Sequence, residues 1–245
     1  MAWSCIHELG HALYEQGLPE EEYGLPLGEY ASLSIHESQS RLWENNVGRS
    51  SRFWNWYFPA LQKHFPVQFE KIDAATFYKS INKVQPTFIR TEADELTYHF
   101  HVMIRYELEK LLVEQNLSTK DIPAFWNEKY SKYLDLKVPD DKTGCLQDVH
   151  WSHGSVGYFP TYSLGSFYAA QFYASAKKQV NTLEDDIASG ETGTLLNWLR
   201  TNVHQHGRKF TSEELCEKIS GETLNVNYFL DNVTIKYRDI YNFKE

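Results

Sequence analysis

The sequence contains few cysteines and no long apolar run, and each shortage excludes a class of protein. Its 245 residues include 3 cysteines, Cys5, Cys145 and Cys216, which are far apart and form no Cys-X-X-Cys pair. This number is too small for a disulfide framework and favours a reducing compartment. No stretch approaches the roughly 18–20 apolar residues of a membrane span, and the N-terminus lacks the basic start and apolar core of a signal peptide. We therefore predict a cytoplasmic protein without a membrane partner.

Basic residues are also scarce. The chain has 24 Lys and Arg against 33 Asp and Glu, a formal net charge of -9, and no local basic patch offsets this balance. We therefore predict no nucleic-acid partner. Hydrophobic residues make up 42% and aromatic residues 15% of the chain, which is too much large apolar surface for a disordered protein. The chain is long enough to bury a substantial core.

The alternating pattern of strands is almost absent, whereas helical periodicity extends over most of the chain. We predict helices over residues 3–15, 30–47, 91–115, 122–134, 163–178, 194–206, 212–220 and 227–241. Apolar residues at 96, 100, 104, 108 and 111 predict the core face of the longest helix, and Thr211 and Glu214 form a capping box. The sequence shows no repeat, low-complexity tract or long linker. These patterns predict a mainly α-helical fold in a single domain over residues 1–245.

The segment His7-Glu8-Leu9-Gly10-His11 carries the clearest chemical signal. Residues four apart lie on one face of a helix, so both imidazoles can reach one metal ion. Glu8, on the adjacent edge, can then act on a water molecule that the metal activates. The alternative is a helix with two exposed histidines and a glutamate. The spacing, together with a third donor downstream, favours the metal site.

A catalytic zinc site needs a third protein ligand beside an open position. His36 and Glu37 lie one loop downstream on the next predicted helix, which an antiparallel hairpin places opposite the first. Adjacent residues point about 100° apart on a helix, so only one of the two faces the metal. Charge does not decide between them, because two histidines plus a carboxylate and three histidines are both known donor sets. We predict that the helix carrying the third ligand packs beside the HExxH helix.

Five separated segments stand out in this sequence. They are His7-Glu8-Leu9-Gly10-His11, His36-Glu37-Ser38-Gln39, Ile89-Arg90-Thr91-Glu92-Ala93-Asp94-Glu95, Leu146-Gln147-Asp148-Val149-His150-Trp151 and Gly157-Tyr158-Phe159-Pro160-Thr161-Tyr162-Ser163-Leu164-Gly165. In order and composition they resemble the carboxypeptidase Taq family of metallocarboxypeptidases. The chain looks like the catalytic, C-terminal half of such an enzyme, and the match covers nearly all of its length.

The resemblance implies a mostly helical fold with a deep substrate groove, peptide substrates and a homodimer. It also implies a metal site of His7, His11 and Glu37, and so selects Glu37 over His36. Zinc is the expected cofactor, and the sequence does not distinguish it from cobalt or manganese. The implied reaction is hydrolysis of the C-terminal peptide bond. Glu8 is then the general base that takes a proton from the attacking water and returns it to the leaving amine.

The resemblance also indicates groups that bind substrate. Tyr158, in a glycine-flanked loop, is the expected donor to the developing oxyanion; the alternative is an ordinary packed tyrosine. Arg90 is expected to bind the free C-terminal carboxylate through its guanidinium, with Arg41 as the next choice. The alternative is that Arg90 pairs with the acidic residues at 92, 94 and 95.

Three further polar residues are expected near the substrate. His36 is expected at the wall of the groove or beside a metal ligand. Gln147 and His150 match a family segment near the site and are expected to contact substrate. Lone histidines are more often structural, which is the alternative for His150.

The sequence is also compatible with two other functions. A zinc-dependent aminopeptidase or endopeptidase also uses HExxH with a distant glutamate, and an aminopeptidase would use carboxylates such as those at 92, 94 and 95 to bind the substrate amine. The other alternative is an inactive metal-binding fragment. The family's chains extend well upstream of the first motif, which begins here at residue 7. We therefore expect a truncated form or one half of a longer protein, whose activity the sequence does not decide.

Overall fold

A computed structural model describes residues 2–114 and 117–243 of the protein. Within these two ranges every regular element is a helix, so the predicted mainly α-helical class is confirmed. The α-helices are α1 (Ala2–Glu15), α2 (Leu33–Arg41), α3 (Ser51–His64), α4 (Pro66–Phe69), α5 (Ala74–Ile81), α6 (Tyr98–Glu114), α7 (Ile122–Leu134), α8 (Pro160–Gln179), α9 (Leu183–Ser189), α10 (Gly193–Asn202), α11 (Ser212–Ser220) and α12 (Asn227–Tyr241). In the part of the chain that is described, no helix has both the length and the apolar character for crossing a bilayer.

Capping side chains set where several helices begin. The Ser32 hydroxyl accepts a hydrogen bond from the backbone N–H of Ile35 and starts α2. Thr211 and Glu214 form the predicted capping box at the start of α11, which ends at Gly221 with a φ of 85°. Side-chain caps of this kind satisfy backbone N–H groups that have no partner inside the helix. The predicted bounds of α7, α11 and α12 agree with the structure.

Other predicted bounds differ from the structure. Helix α6 begins at Tyr98 rather than near Thr91, because the Asp94 carboxylate caps the backbone N–H groups of Leu96 and Thr97. Its predicted end at Gln115 lies outside the described residues. Phe100, which the periodicity placed in the core, is exposed. Helices α3, α4, α5 and α9 were not predicted from the sequence.

Helix α2 continues directly into a π-helical segment, Leu42–Val47. The backbone N–H of Gly48 donates to the carbonyl of Trp43, five residues earlier, which is the hydrogen bond of a π turn. Leu42, Trp43 and Val47 are buried in this segment. Single π turns of this kind often occur at functional sites because they change the direction of side chains along a helix.

The chain divides into two compact units. The first holds the chain up to Ile81 and from Leu164 onward. Its core joins α1, α2, the π-helical segment and helices α8 to α11 through apolar side chains. The fully buried members include Tyr14, Ile35, Leu42, Phe172 and Leu199.

The second unit comprises Asn82–Ser163. Its larger cluster packs Ile104 and Leu108 of α6 against Trp126 and Tyr130 of α7. The rings of Trp126 and Tyr130 stack with centroids 5.0 Å apart. The single domain predicted over residues 1–245 stays a prediction.

Gly10 allows α1 and α2 to approach closely. A β-carbon on Gly10 would lie 2.6 Å from the Cα atom of Ser40 and 2.7 Å from the carbonyl oxygen of Gln39. These contacts are with backbone, which cannot rotate away as a side chain can. Gly10 lies between His7 and His11 in sequence, so the close approach also sets the distance from the motif to α2.

Replacement of Gly10 by alanine is therefore expected to destabilise the first unit by about 1–3 kcal/mol, the usual cost of overpacking. Alanine favours a helix interior over glycine by about 1 kcal/mol, but the backbone contacts outweigh this gain. Urea unfolding of the chain measures the difference. Gly193→Ala is the matched control, because a β-carbon there meets only the flexible side chain of Glu191. Equal stabilities of the two variants would contradict the role of close helix approach.

Candidate metal centre

Helices α1 and α2 bring three potential metal ligands together in the first unit. The Nε2 atoms of His7 and His11 are 3.2 Å apart. The Glu37 carboxylate lies 3.7 Å from each of these nitrogens, through Oε2 to His7 and Oε1 to His11. The three residues form a cluster whose ligand atoms all lie within 4.8 Å of one another. The arrangement places both histidines of the HExxH motif and the predicted third donor around one point.

The other ring nitrogen of His7 is held by Glu44 from the π-helical segment. The Nδ1 atom of His7 lies 2.9 Å from the Glu44 Oε2 atom. Arg41 donates to the same oxygen at 3.1 Å, and Arg49 lies 3.5 Å from the other oxygen. Burial alone would raise the pKa of Glu44, but Arg41, the hydrogen bond from His7 and Arg49 outweigh it and lower the pKa to about 2. Glu44 is therefore an ionised carboxylate that accepts the Nδ1 proton of His7.

The other ring nitrogen of His11 is held by a second chain of hydrogen bonds. The Nδ1 atoms of His11 and His36 are 2.6 Å apart, and the Nε2 atom of His36 lies 2.7 Å from the Glu15 Oε1 atom. Burial, followed by the nearby His7, His36 and Arg41, lowers the pKa of His11 to about 3, so its ring is neutral. In the tautomer in which His36 donates from Nε2 to Glu15, its Nδ1 atom accepts from His11.

The Nδ1 atoms of both histidines are thus engaged in hydrogen bonds. A neutral imidazole carries one proton, and a ring that donates from Nδ1 has a bare Nε2 atom. With the protons on Nδ1, the Nε2 lone pairs of His7 and His11 face each other and the Glu37 carboxylate, an arrangement that a cation stabilises. Two nitrogens bound tetrahedrally to one zinc ion at its usual bond length would lie about 3.3 Å apart, close to the separation observed here. The residues present thus fit a divalent metal.

Glu37 is buried, with 5% of its surface exposed. This burial raises the pKa of Glu37, although Arg41, 4.0 Å from its Oε2 atom, acts in the opposite direction. Helix α8 passes close to it at Gly165, where a β-carbon would lie 2.5 Å from the Glu37 Cβ atom. The missing side chain at Gly165 is what leaves room for Glu37.

Glu8, the predicted general base, lies on α1 beside this cluster in sequence and is exposed. It follows His7 directly, so it projects from the neighbouring edge of the helix. Solvent can therefore reach its carboxylate, as a group that exchanges protons with water requires.

The predicted carboxylate-binding residue, Arg90, is buried in the second unit with 5% of its surface exposed. Its Nε and Nη2 atoms donate to one oxygen of Asp148 at 2.9 and 2.8 Å, and its Nη1 atom donates to the Tyr98 hydroxyl at 2.7 Å. Arg105 donates to the other oxygen of Asp148 at 2.6 Å. Burial alone would raise the pKa of Asp148, but Arg105 and Arg90 outweigh it and hold that pKa below its ordinary value. Arg90 thus pairs with a carboxylate, but not with the neighbours at 92, 94 and 95 that the sequence offered.

Gln147 and His150 belong to the same group of side chains. The Gln147 amide oxygen accepts from the Arg90 backbone N–H and from Arg105, while its amide nitrogen donates to the carbonyl of Phe88. His150 lies 2.8 Å from the Tyr162 hydroxyl through Nε2. Burial, and then the charge of Arg90, lowers the pKa of His150. Gln147 therefore holds the segment around Arg90 in place.

Tyr158, the predicted oxyanion donor, lies in a turn of the second unit, directly after Gly157, whose φ is 83°. Its ring packs against those of His150 and Tyr162, with centroids 5.4 and 5.3 Å away. Tyr158 thus packs beside two other rings of the second unit, and its catalytic role stays a prediction.

The sequence did not point to Glu15, Glu44 or Arg49, although a signal for the first two was present. Glu15 is four residues beyond His11, so it continues the face of α1 that carries both histidines. Glu37, Arg41 and Glu44 are spaced four and three residues apart, which places them along one face of the second helix. A search of the same helix faces one turn beyond His11 and Arg41 would have identified Glu15 and Glu44.

The sequence profile of the family described as carboxypeptidase Taq (M32) metallopeptidase matches residues 1–237. The chain belongs to this family. The resemblance inferred from the five motifs is thereby confirmed, and membership of a metallopeptidase family implies a metal cofactor.

Curated relatives within the M32 family are similar over nearly the whole chain. Thermostable carboxypeptidase 1 of Thermus thermophilus is 45% identical over 239 residues, which are 98% of this chain and 47% of that protein. Carboxypeptidase 1 of Bacillus subtilis is 43% identical over 98% of this chain and 48% of its own length. The chain therefore spans about half the length of the curated relatives it matches.

Solved M32 structures are similar to the same extent. An M32 carboxypeptidase from Deinococcus radiodurans R1 has a TM-score of 0.95 and 43% identity, over 98% of this chain and 49% of that one. Metallocarboxypeptidase 1 of Trypanosoma cruzi has a TM-score of 0.90 and 39% identity, over 96% of this chain and 50% of that one. The helical fold is thus that of known M32 carboxypeptidases.

Proposed function

We propose that this chain acts in a metal-dependent carboxypeptidase that removes the C-terminal residue from peptides. The observation that carries the proposal is the pair of histidine Nε2 atoms, 3.2 Å apart, facing a buried carboxylate. Each histidine is held through its other nitrogen by a separate hydrogen-bond partner. Family membership and relatives named carboxypeptidases support the reaction type.

We propose zinc as the metal, held by His7, His11 and Glu37, with cobalt and manganese as alternatives. When bound, such a metal lowers the pKa of water and polarises a peptide carbonyl. Two histidines and one carboxylate form a donor set that leaves room for substrate and water in catalytic zinc sites. Carboxylate and imidazole ligands also suit manganese and cobalt, so the donor set does not select one metal.

In the proposed mechanism, the exposed Glu8 carboxylate accepts a proton from the attacking water and returns it to the leaving amine. Glu44 and His36 hold the two histidines through their Nδ1 atoms, so that the Nε2 atoms are directed towards the proposed metal. We propose that Tyr158 donates a hydrogen bond to the oxygen on which negative charge develops.

The proposed substrate-binding groups are Arg90 for the terminal carboxylate, with His36, Gln147 and His150 near the peptide. Arg90 already pairs with Asp148, so a substrate carboxylate would have to compete with that residue for the guanidinium. His36 and Gln147 make hydrogen bonds within the protein, to Glu15 and to Phe88 respectively. These contacts favour orienting roles for His36 and Gln147.

A comparison of two peptides tests the reaction. The metal-loaded chain is expected to release the last residue from a peptide with a free C-terminus. Its rate on the matching C-terminal amide is expected to be lower by at least about 100-fold. The amide lacks the charge that a guanidinium binds as an ion pair. Released amino acids are measured by mass spectrometry.

The same peptides separate the other functions. Equal rates on the acid and the amide would favour an endopeptidase, and release of the first residue would favour an aminopeptidase. A chain that binds stoichiometric metal but cleaves neither peptide would be an inactive metal-binding fragment. The homodimer and the cytoplasmic location stay predictions from the resemblance and the composition.

A further inference from the structure

Glu44 contacts a proposed metal ligand but is not itself one of the three proposed ligands. It lies in the π-helical segment and contacts His7 through Oε2, on the side of the ring away from Glu37. Its side chain is 12% exposed, and Arg41 and Arg49 hold it from two directions. The carboxylate is thus fixed in place without contacting the metal position itself.

We propose that Glu44 is a positioning residue for the metal, acting through His7. An ionised carboxylate bound to Nδ1 keeps the proton on that nitrogen, fixes the rotation of the ring and makes Nε2 a stronger donor to a metal. This inference rests on the proposed metal site, because it concerns the orientation of one ligand in that site.

The two arginines explain why the Glu44 carboxylate can stay charged although most of its side chain is buried. A lone ionised carboxylate would be costly to bury, and two guanidinium groups offset that cost. Arg41 also lies 4.0 Å from Glu37, so its guanidinium is close to both the proposed ligand Glu37 and the positioning residue Glu44. Helix α2 and the π-helical segment thereby place Glu37, Arg41 and Glu44 around His7 from one continuous stretch of chain.

The experiment measures metal affinity rather than activity. Glu44→Gln keeps the shape of the side chain but removes its charge, and its affinity for Zn²⁺ by chelator competition is expected to fall about 10- to 100-fold. The visible absorption spectrum of the Co²⁺-loaded chain is expected to shift, because the geometry and donor strength of His7 change. Glu44→Asp keeps the charge but shortens the reach to Nδ1, so we expect a smaller loss of affinity.

Glu184→Gln is the matched control. Glu184 is also a carboxylate between two cations in the first unit, Arg52 at 3.1 Å and Lys177 at 3.8 Å, but it contacts no proposed ligand. Its metal affinity and cobalt spectrum are expected to equal those of the unchanged chain. Unfolding of all three variants without metal shows whether any loss comes from folding.

The inference is overturned if Glu44→Gln binds Zn²⁺ as tightly as Glu184→Gln and has the same cobalt spectrum. If Glu44→Gln does not fold, Glu44→Asp decides by the same comparison, since an unchanged affinity and spectrum would again overturn it. His7→Ala separates this failure from that of the proposed site. Loss of metal by His7→Ala with none by Glu44→Gln rejects the positioning role alone, whereas full metal binding by His7→Ala rejects the site itself.

Discussion

Replacing Glu37 with glutamine is expected to abolish stoichiometric metal binding while leaving the helical fold in place. Glu37 is the carboxylate of the proposed donor set, and without it only two imidazoles remain. Removal of a hydrogen-bond partner of a ligand typically lowers metal affinity about 10- to 100-fold. We expect a larger fall in metal affinity for Glu37→Gln, because a ligand itself is lost. Glutamine matches the volume of glutamate, so the close contact with Gly165 is preserved.

Metal content after gel filtration, together with competition against a chelator, measures this loss. Glu109→Gln provides a control of equal burial, since Glu109 is 4% exposed and Glu37 is 5% exposed. Glu109 lies in the second unit, where it accepts a hydrogen bond from the Trp151 indole at 2.9 Å. Stoichiometric metal in the Glu37→Gln chain would overturn the ligand assignment. Metal loss in the Glu109→Gln chain would show that burying an amide, rather than removing a ligand, has the effect.

The two histidines of the proposed metal site were predictable because they follow helical spacing. His7 and His11 share one face of α1, and that spacing alone predicts a common metal position. The choice of Glu37 over His36 required the family resemblance, since both donors are chemically competent. In the structure His36 contacts the Nδ1 atom of His11, whereas Glu37 lies near the Nε2 atom of His11. The adjacent side chains of His36 and Glu37 thus point in different directions, as their positions on a helix require.

The surroundings of Arg90 were less predictable because they depend on tertiary contacts. Its partner Asp148 is far away in sequence, and Arg105 shares the same carboxylate from α6. Periodicity places Arg105 beside the apolar face of that helix, and nothing in the local pattern indicates that a buried arginine there has an anionic partner. Long-range polar pairs of this kind have no sequence signature comparable to the spacing of four in a helix.

The helices missed from the sequence have a similar physical explanation. Helix α3 contains Pro59, which a local pattern treats as a helix breaker, yet the helix continues to His64. Trp54 and Phe58 of α3 are buried against other parts of the first unit. Tertiary packing of these aromatic side chains therefore outweighs the local cost of the proline.

Replacing Glu8 with glutamine is expected to abolish most turnover but, unlike Glu37→Gln, to leave metal binding unchanged. Glutamine cannot accept a proton from water, so turnover should fall by about 10²- to 10⁴-fold, the usual contribution of a general base. Metal content should stay at the level of the unchanged chain, because Glu8 is exposed and lies outside the cluster of ligand atoms. Rates of C-terminal residue release at saturating peptide, measured beside metal content, give both quantities.

Glu21→Gln, an exposed carboxylate just beyond α1, is the control for removal of one surface charge. Its turnover should equal that of the unchanged chain. Full turnover in Glu8→Gln would reject Glu8 as the base, and loss of metal in that variant would instead make Glu8 a ligand. Because Glu37→Gln should lose metal and turnover together while Glu8→Gln loses turnover alone, the pair separates the residue that holds the metal from the residue that moves the proton.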